Sequence, residues 1–245
     1  MNIETLIALG YYASSIGFLV ATYVTFDAMR KSGQSGLKNV LTYLFIGTGT
    51  FFVITIFQKL GADFFGIADE SMDIWWHVMF YLAMISYYLG FKALVALGTS
   101  DSGTATVNAN TVVGKTWGVF SVLILAAVFI IPSQAESLVS SYVSSRLGEL
   151  GAHHFLAFIM AGVVGAYLFS AKIFLGQIGK AIATPMIIAI WALCLQHFWE
   201  LLTESWKVIE ITSDKIEGVE KIFLTISAIC VIYAASRLKA FSKTQ

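Results

Sequence analysis

The chain has 245 residues, of which 58% are hydrophobic and 12% charged, with 15 basic and 15 acidic side chains and a formal net charge of zero. An ordinary soluble domain carries roughly 45–50% apolar and about 25% charged residues. With a mean hydropathy of +0.79, two prolines and two cysteines, the composition excludes a soluble globular enzyme, a disordered protein, a disulfide scaffold and a basic nucleic-acid binder. It predicts an integral membrane protein.

A helix crossing about 30 Å of hydrocarbon needs roughly 20 mostly apolar residues. Seven stretches qualify, at residues 5–29, 39–60, 72–97, 112–131, 152–175, 181–202 and 219–238. No segment shows the ten-residue alternation of an outer-membrane barrel. The predicted fold is therefore all-α: a single seven-helix transmembrane bundle over residues 1–245, since in lipid a helix satisfies its own backbone hydrogen bonds.

In chain order, the first span follows no basic leader, precedes no evident cleavage site and is too long for a signal-peptide core, so it reads as a retained helix. The second carries Gly47 and Gly49, with Thr48 and Thr50 as mild polar groups. The third opens with Asp73 and His77, four residues apart and able to share a face that Tyr81 and Met84 continue. Residues 98–110, small and polar, read as a loop. Pro132 ends the fourth span. Residues 133–150 place Leu138, Tyr142, Leu147 and Leu150 at near-helical spacing, which fits an amphipathic interfacial helix or a partly ordered loop. The fifth span opens with His153 and His154. His153 continues into Ala157, Ala161 and Gly165, a small-residue stripe that lets membrane helices approach closely. In the sixth, Cys194, His197, Glu200 and Glu204 form a column along one side. Glu217, Glu220 and Lys221 open the seventh.

Basic residues orient the chain. With the N-terminus outside and the C-terminus in the cytoplasm, ten lie on the inner side and five on the outer, as the positive-inside rule requires. Thirteen of the 15 acidic residues then lie outward, and so do all four histidines. Seven helices with an outside N-terminus resemble the layout of microbial rhodopsins, which hold retinal on a lysine in the seventh helix. The middle of the seventh span here, Thr225–Ala234, contains no lysine, so retinal is not carried over.

The shared depth of the histidines is the main functional signal. His77, His153, His154, His197 and Glu200 make a ligand set suited to zinc, copper or iron. Asp73, Glu204 and Cys194 stand as supporting groups, Asp73 and Glu200 being placed to fix histidine tautomers. Haem held by two histidines ranks below a metal ion. The bland alternative is an interfacial belt in which histidines, tryptophans and carboxylates meet only water and headgroups. No span carries a charged group at mid-depth, which argues against a proton pump. The leading expectation is a multi-pass plasma (inner) membrane protein that binds a metal ion or small polar ligand at its outer face. It would act alone or as an accessory subunit, rather than as an enzyme on its own. The alternatives are a metal-free structural, assembly or receptor-like seven-helix protein and a haem-binding redox protein. Expected partners are the bilayer and a membrane protein or second copy, with no nucleic acid.

Overall fold

Long apolar runs with almost no proline leave the backbone one economical choice, and the described chain takes it. The computed structural model describes residues 3–32, 35–67, 69–99, 132–172, 175 and 177–242, and among them no strand occurs. The helices are α1 (Ile3–Lys31), α2 (Ser35–Phe65), α3 (Asp69–Thr99), α4 (Pro132–Val143), the single turn α5 (Arg146–Glu149), α6 (Ala152–Ala171), α7 (Gln177–Glu200) and α8 (Ser213–Ser242). Six segments are long and apolar enough to cross a membrane: Leu9–Lys31, Gly36–Gln58, Ser71–Ala96, Ala152–Ala171, Gly179–Ser205 and Ser213–Ala240. The span predicted at 112–131 lies outside the described residues, as does the loop predicted from Gly98 onward except for Gly98 and Thr99, which continue α3.

These six helices pack in a closed ring: α1 touches α2 and α8, α2 touches α3, α3 touches α6, α6 touches α7, and α7 touches α8. Glycines set the closest approaches. A Cβ at Gly10 would lie 2.6 Å from Lys221 Cβ, and one at Gly17 would lie 2.7 Å from Ala228 Cβ. Further along, Lys239 Nζ reaches Asp27 at 2.8 Å. These contacts advance together along both helices, so α1 and α8 run parallel. On the other side of α2, a Cβ at Gly47 would meet the Tyr87 ring at 2.5 Å and one at Gly90 would meet Tyr43 at 3.2 Å, which makes α2 and α3 antiparallel.

The ring interior is aromatic and aliphatic. Phe51 stacks on Phe18 with centroids 4.8 Å apart and meets Phe80 edge-on at 5.9 Å. Several polar groups at mid-depth are turned back on their own helices: Thr25, Thr48, Thr55 and Ser86 donate to the carbonyls of Ala21, Leu44, Phe51 and Leu82, while the Tyr87 and Ser227 hydroxyls are buried without a partner among the described residues. Such bonds satisfy a hydroxyl without a partner from another helix. The outer surface is apolar, with Tyr12, Ile16 and Tyr23 of α1, Phe155 and Val163 of α6, and Ile222 and Ile229 of α8 exposed. Continuous apolar surface of this kind is costly in water and neutral in lipid.

The amphipathic segment is helical, but it docks differently from its leucine spacing. Leu138, Leu147 and Leu150 are exposed, while Val139 is buried and Tyr142 is half-buried. Helix α4 therefore turns the Val139–Tyr142 edge toward α3 and α6.

The α1–α8 closure is testable. Gly17→Leu must force the two helices apart and should destabilise the protein by about 1–3 kcal/mol, the usual cost of overpacking. Gly49→Ala meets only Thr22 Cγ2, at 3.7 Å, and should leave stability near wild type. Thermal unfolding in detergent compares them; equal melting temperatures would contradict the packing.

Candidate metal centre

One end of the ring gathers the ionisable groups. The first turns of α3 and α6 meet the last turns of α7 there, for two local reasons. Gly151, just before α6, has a φ of 67°, a left-handed conformation that glycine adopts without a Cβ clash. A side chain at this position would also collide with Ser205. This tight entry puts His153 and His154 in the first turn of α6, against α3 and α7. Helix α7 ends in a π turn, Leu201–Ser205, in which the Trp206 N–H donates to Leu201 O five residues back at 2.8 Å. Wide turns of this kind are frequent at functional sites.

Two carboxylates divide the imidazoles between them. Glu200 Oε2 lies 2.6 Å from His197 Nδ1, 3.0 Å from His154 Nδ1 and 3.8 Å from His77 Nε2. Its other oxygen accepts from Gln196 Nε2 at 2.9 Å. Asp73 Oδ2 lies 3.0 Å from His153 Nε2 and 3.9 Å from His154 Nε2, while Asp73 Oδ1 is 3.3 Å from His77 Nδ1. Glu204 Oε2 is 3.6 Å from His154 Nε2. The inner members are buried: His77, His154, His197 and Glu200 are each 5% exposed or less. Asp73 and Glu204, with side chains 41% and 45% exposed, open the cluster toward the bundle end.

The hydrogen bonds assign protons. His77 Nδ1–H donates to the Asp73 backbone carbonyl at 2.8 Å. His154 and His197 donate their Nδ1 protons to Glu200. As a neutral imidazole, each of these three rings then keeps an unprotonated Nε2. The Nε2 atoms of His77 and His197 are buried with no hydrogen-bond partner. His153 donates Nε2–H to Asp73 and accepts at Nδ1 from the Tyr142 hydroxyl, 3.3 Å away. Burial holds the Tyr142 phenol above its ordinary pKa, so it remains a donor at neutral pH.

The candidate ligands fall into two overlapping quartets: Asp73, His77, His153 and His154, and His77, His154, His197 and Glu200. Within each, one ligand atom per residue lies within 4.8 Å of the others. This buried His/Glu/Asp group could hold a metal ion. Among the described residues no lysine or arginine forms an ion pair with Glu200, whose side chain is 6% exposed. A carboxylate removed from water needs a compensating cation or a full set of donors. Here the donors are imidazoles and one amide.

The small-residue stripe that follows His153 places it toward the bundle, with His154 about a third of a turn away. The order is reversed, with His154 buried and His153 nearer the surface. Cys194 belongs to neither quartet; its Sγ points at the Phe158 carbonyl of α6 at 3.6 Å. Lys221 turns away and lies over the Tyr11 ring at 3.8 Å. Three participants escaped the sequence reading. Gln196 precedes Glu200 by four residues, so its shared face was available as a signal. Tyr81 was placed on the right face, but its hydroxyl donates to the His153 carbonyl at 2.8 Å, a contact no spacing reveals. Tyr142 reaches the site only because α4 docks through its Val139 edge.

Comparison with protein-family models, curated proteins and solved structures returns no match for this chain.

Glu200 is the hub, and its removal has a size. In metal-free protein, Glu200→Leu leaves three buried N–H donors, on His154, His197 and Gln196, without their acceptor and should cost about 3 kcal/mol or more, as for a broken buried pair. Tyr142→Phe removes one peripheral hydrogen bond and should cost roughly 0.5–1.5 kcal/mol. Denaturant unfolding of both variants tests the ranking; comparable losses would contradict it.

Proposed function

We propose that the chain is a multi-pass plasma (inner) membrane protein whose outer end binds a first-row transition metal ion. It does so either as a free-standing protein or as an accessory subunit of a larger membrane complex. The observation that carries this reading is the pair of bare, buried nitrogens, His77 Nε2 and His197 Nε2. Both belong to rings whose other nitrogen donates to a carbonyl or carboxylate. A metal-ligating histidine is oriented in this way: the outer hydrogen bond fixes the tautomer and raises the basicity of the ligating nitrogen. Unligated, the same nitrogens forfeit hydrogen bonds at a cost of about 1–3 kcal/mol each.

Imidazole and carboxylate donors suit zinc, copper or iron. The rings of His77, His153, His154 and His197 pack with centroids 4.1–5.0 Å apart, which favours a compact ion over a haem. The outward placement rests on the positive-inside count, which puts the cluster end opposite the Arg30, Lys31, Arg237 and Lys239 end. Exposed Asp73 and Glu204 then give an ion its entry from that side.

Metal analysis with a visible spectrum on one purified sample tests the reading. The expected result is at least one ion per chain, strongly reduced in His77→Ala and His197→Ala. Metal-free, folded wild type after exposure to zinc, copper and iron salts would contradict it. Because ligating imidazoles must be neutral, affinity should fall steeply between about pH 7 and about pH 5. A pH-independent affinity would point to carboxylates alone.

A further inference from the structure

We propose that the cluster is a two-ion centre, with an inner ion held by His77, His197 and Glu200 and an outer ion held by His153, His154 and Asp73. This deepens the metal-binding reading and rests on it. The two carboxylates sit in different quartets, each facing its own imidazole nitrogens. In the inner set the buried Nε2 atoms of His77 and His197 are the ligating nitrogens; Glu200 Oε2 stands 3.8 Å from His77 Nε2 and accepts from His197 Nδ1–H at 2.6 Å. Around Asp73 Oδ2, the Nε2 atoms of His153 and His154 stand at 3.0 and 3.9 Å; to ligate through Nε2, His153 takes its other tautomer, with the proton on Nδ1 donated to the Tyr142 hydroxyl 3.3 Å away. Ligands of one tetrahedral ion with metal bonds of 2.0–2.1 Å lie about 3.4 Å apart; the separations of Glu200 Oε2 from His77 Nε2, 3.8 Å, and of Asp73 Oδ2 from the Nε2 atoms of His153 and His154, 3.0 and 3.9 Å, lie close to that spacing, and neither set needs the other's carboxylate.

His154 joins the two sets without being shared as a ligand. Its Nδ1–H donates to Glu200 at 3.0 Å. Its Nε2 faces Asp73 Oδ2 and Glu204 Oε2 at 3.9 and 3.6 Å, outside hydrogen-bonding distance. An unprotonated nitrogen, on a ring 4% exposed, therefore faces two carboxylate oxygens. A cation there converts two repulsive contacts into attractive ones. The ligand of the outer ion is then also the hydrogen-bond donor to the carboxylate of the inner ion, so filling one position strengthens the other.

The two positions differ in access. The inner ligands are all buried, whereas Asp73 and the flanking Glu204 are open at the bundle end. The outer ion therefore exchanges and the inner ion is retained. With three protein ligands each, both ions keep a coordination position for water or a small anion, as catalytic sites do.

The probe is zinc, and cobalt for its visible bands, added to purified full-length protein in detergent. Wild type should bind two equivalents, one released quickly by a chelator and one slowly. Asp73→Asn, at a side chain open enough to tolerate the change, should bind one slow equivalent. His197→Ala should bind one fast equivalent, its folding checked by elution profile and helicity. A wild type that saturates at one equivalent, or an Asp73→Asn protein that keeps two, overturns the two-ion proposal and leaves the metal-binding reading standing. A wild type that binds none overturns both.

Discussion

A buried carboxylate fixes the arrangement at the functional end of this protein. Glu200 sits among three imidazoles and one amide, without a lysine or arginine ion pair, and its Oε2 is the point at which α3, α6 and α7 meet. In a low-dielectric interior a carboxylate so placed cannot be left to itself. His154 and His197 turn an N–H toward it while His77 gives its own to the Asp73 carbonyl, and this fixes the three tautomers and leaves the remaining nitrogens bare. The ligand geometry is thus a consequence of the carboxylate's own need for donors. A cation fits because it supplies the positive charge that the three carboxylates lack, and because it takes up the nitrogens their hydrogen bonds have left unprotonated.

The rest of the bundle serves as a frame for that contact. α1 and α8 close the ring through Gly10 and Gly17, and on the far side of α2 the glycine–tyrosine contacts with α3 set the depth of the His77 turn. Below the cluster, Trp76 and Phe80 wall off His197, the Phe80 ring lying 4.3 Å from the imidazole and the Trp76 ring 5.3 Å. Thr25, Thr48, Thr55 and Ser86, deeper in the membrane, are occupied by their own helix backbones. The chemistry is concentrated at one end, and no comparable ionisable group stands at mid-depth among the described residues of the spans.

Much of this is legible in the sequence because its causes are local. Span length and hydropathy follow from the thickness of hydrocarbon, and six of the seven expected helices lie among the described residues. The column from His197 to Glu204 and the pair Asp73–His77 are single-helix spacings, and a helix fixes those without help. What spacing cannot give is the register between helices. His153 and His154 are adjacent, and only the left-handed turn at Gly151 and the seat of α6 against α7 decide that His154 goes deeper. The assignment of Asp73 to His153 as well as His77 crosses 80 residues of chain. Tyr142 depends on how an interfacial helix docks, which its leucines do not reveal. The closure of α1 on α8 left only a faint trace, in that Gly10 and Gly17 share a seven-residue interval with Lys221 and Ala228.

The central claim is that the imidazoles of this cluster ligate a metal rather than merely solvating a carboxylate. X-ray absorption at the metal edge of zinc-loaded protein tests it most directly. The account predicts a first shell of nitrogen and oxygen at about 2.0–2.1 Å, with the outer-ring scattering of two imidazoles per ion and no sulfur. A shell with a sulfur scatterer near about 2.3 Å, or one of oxygens alone without the imidazole signature, would contradict it.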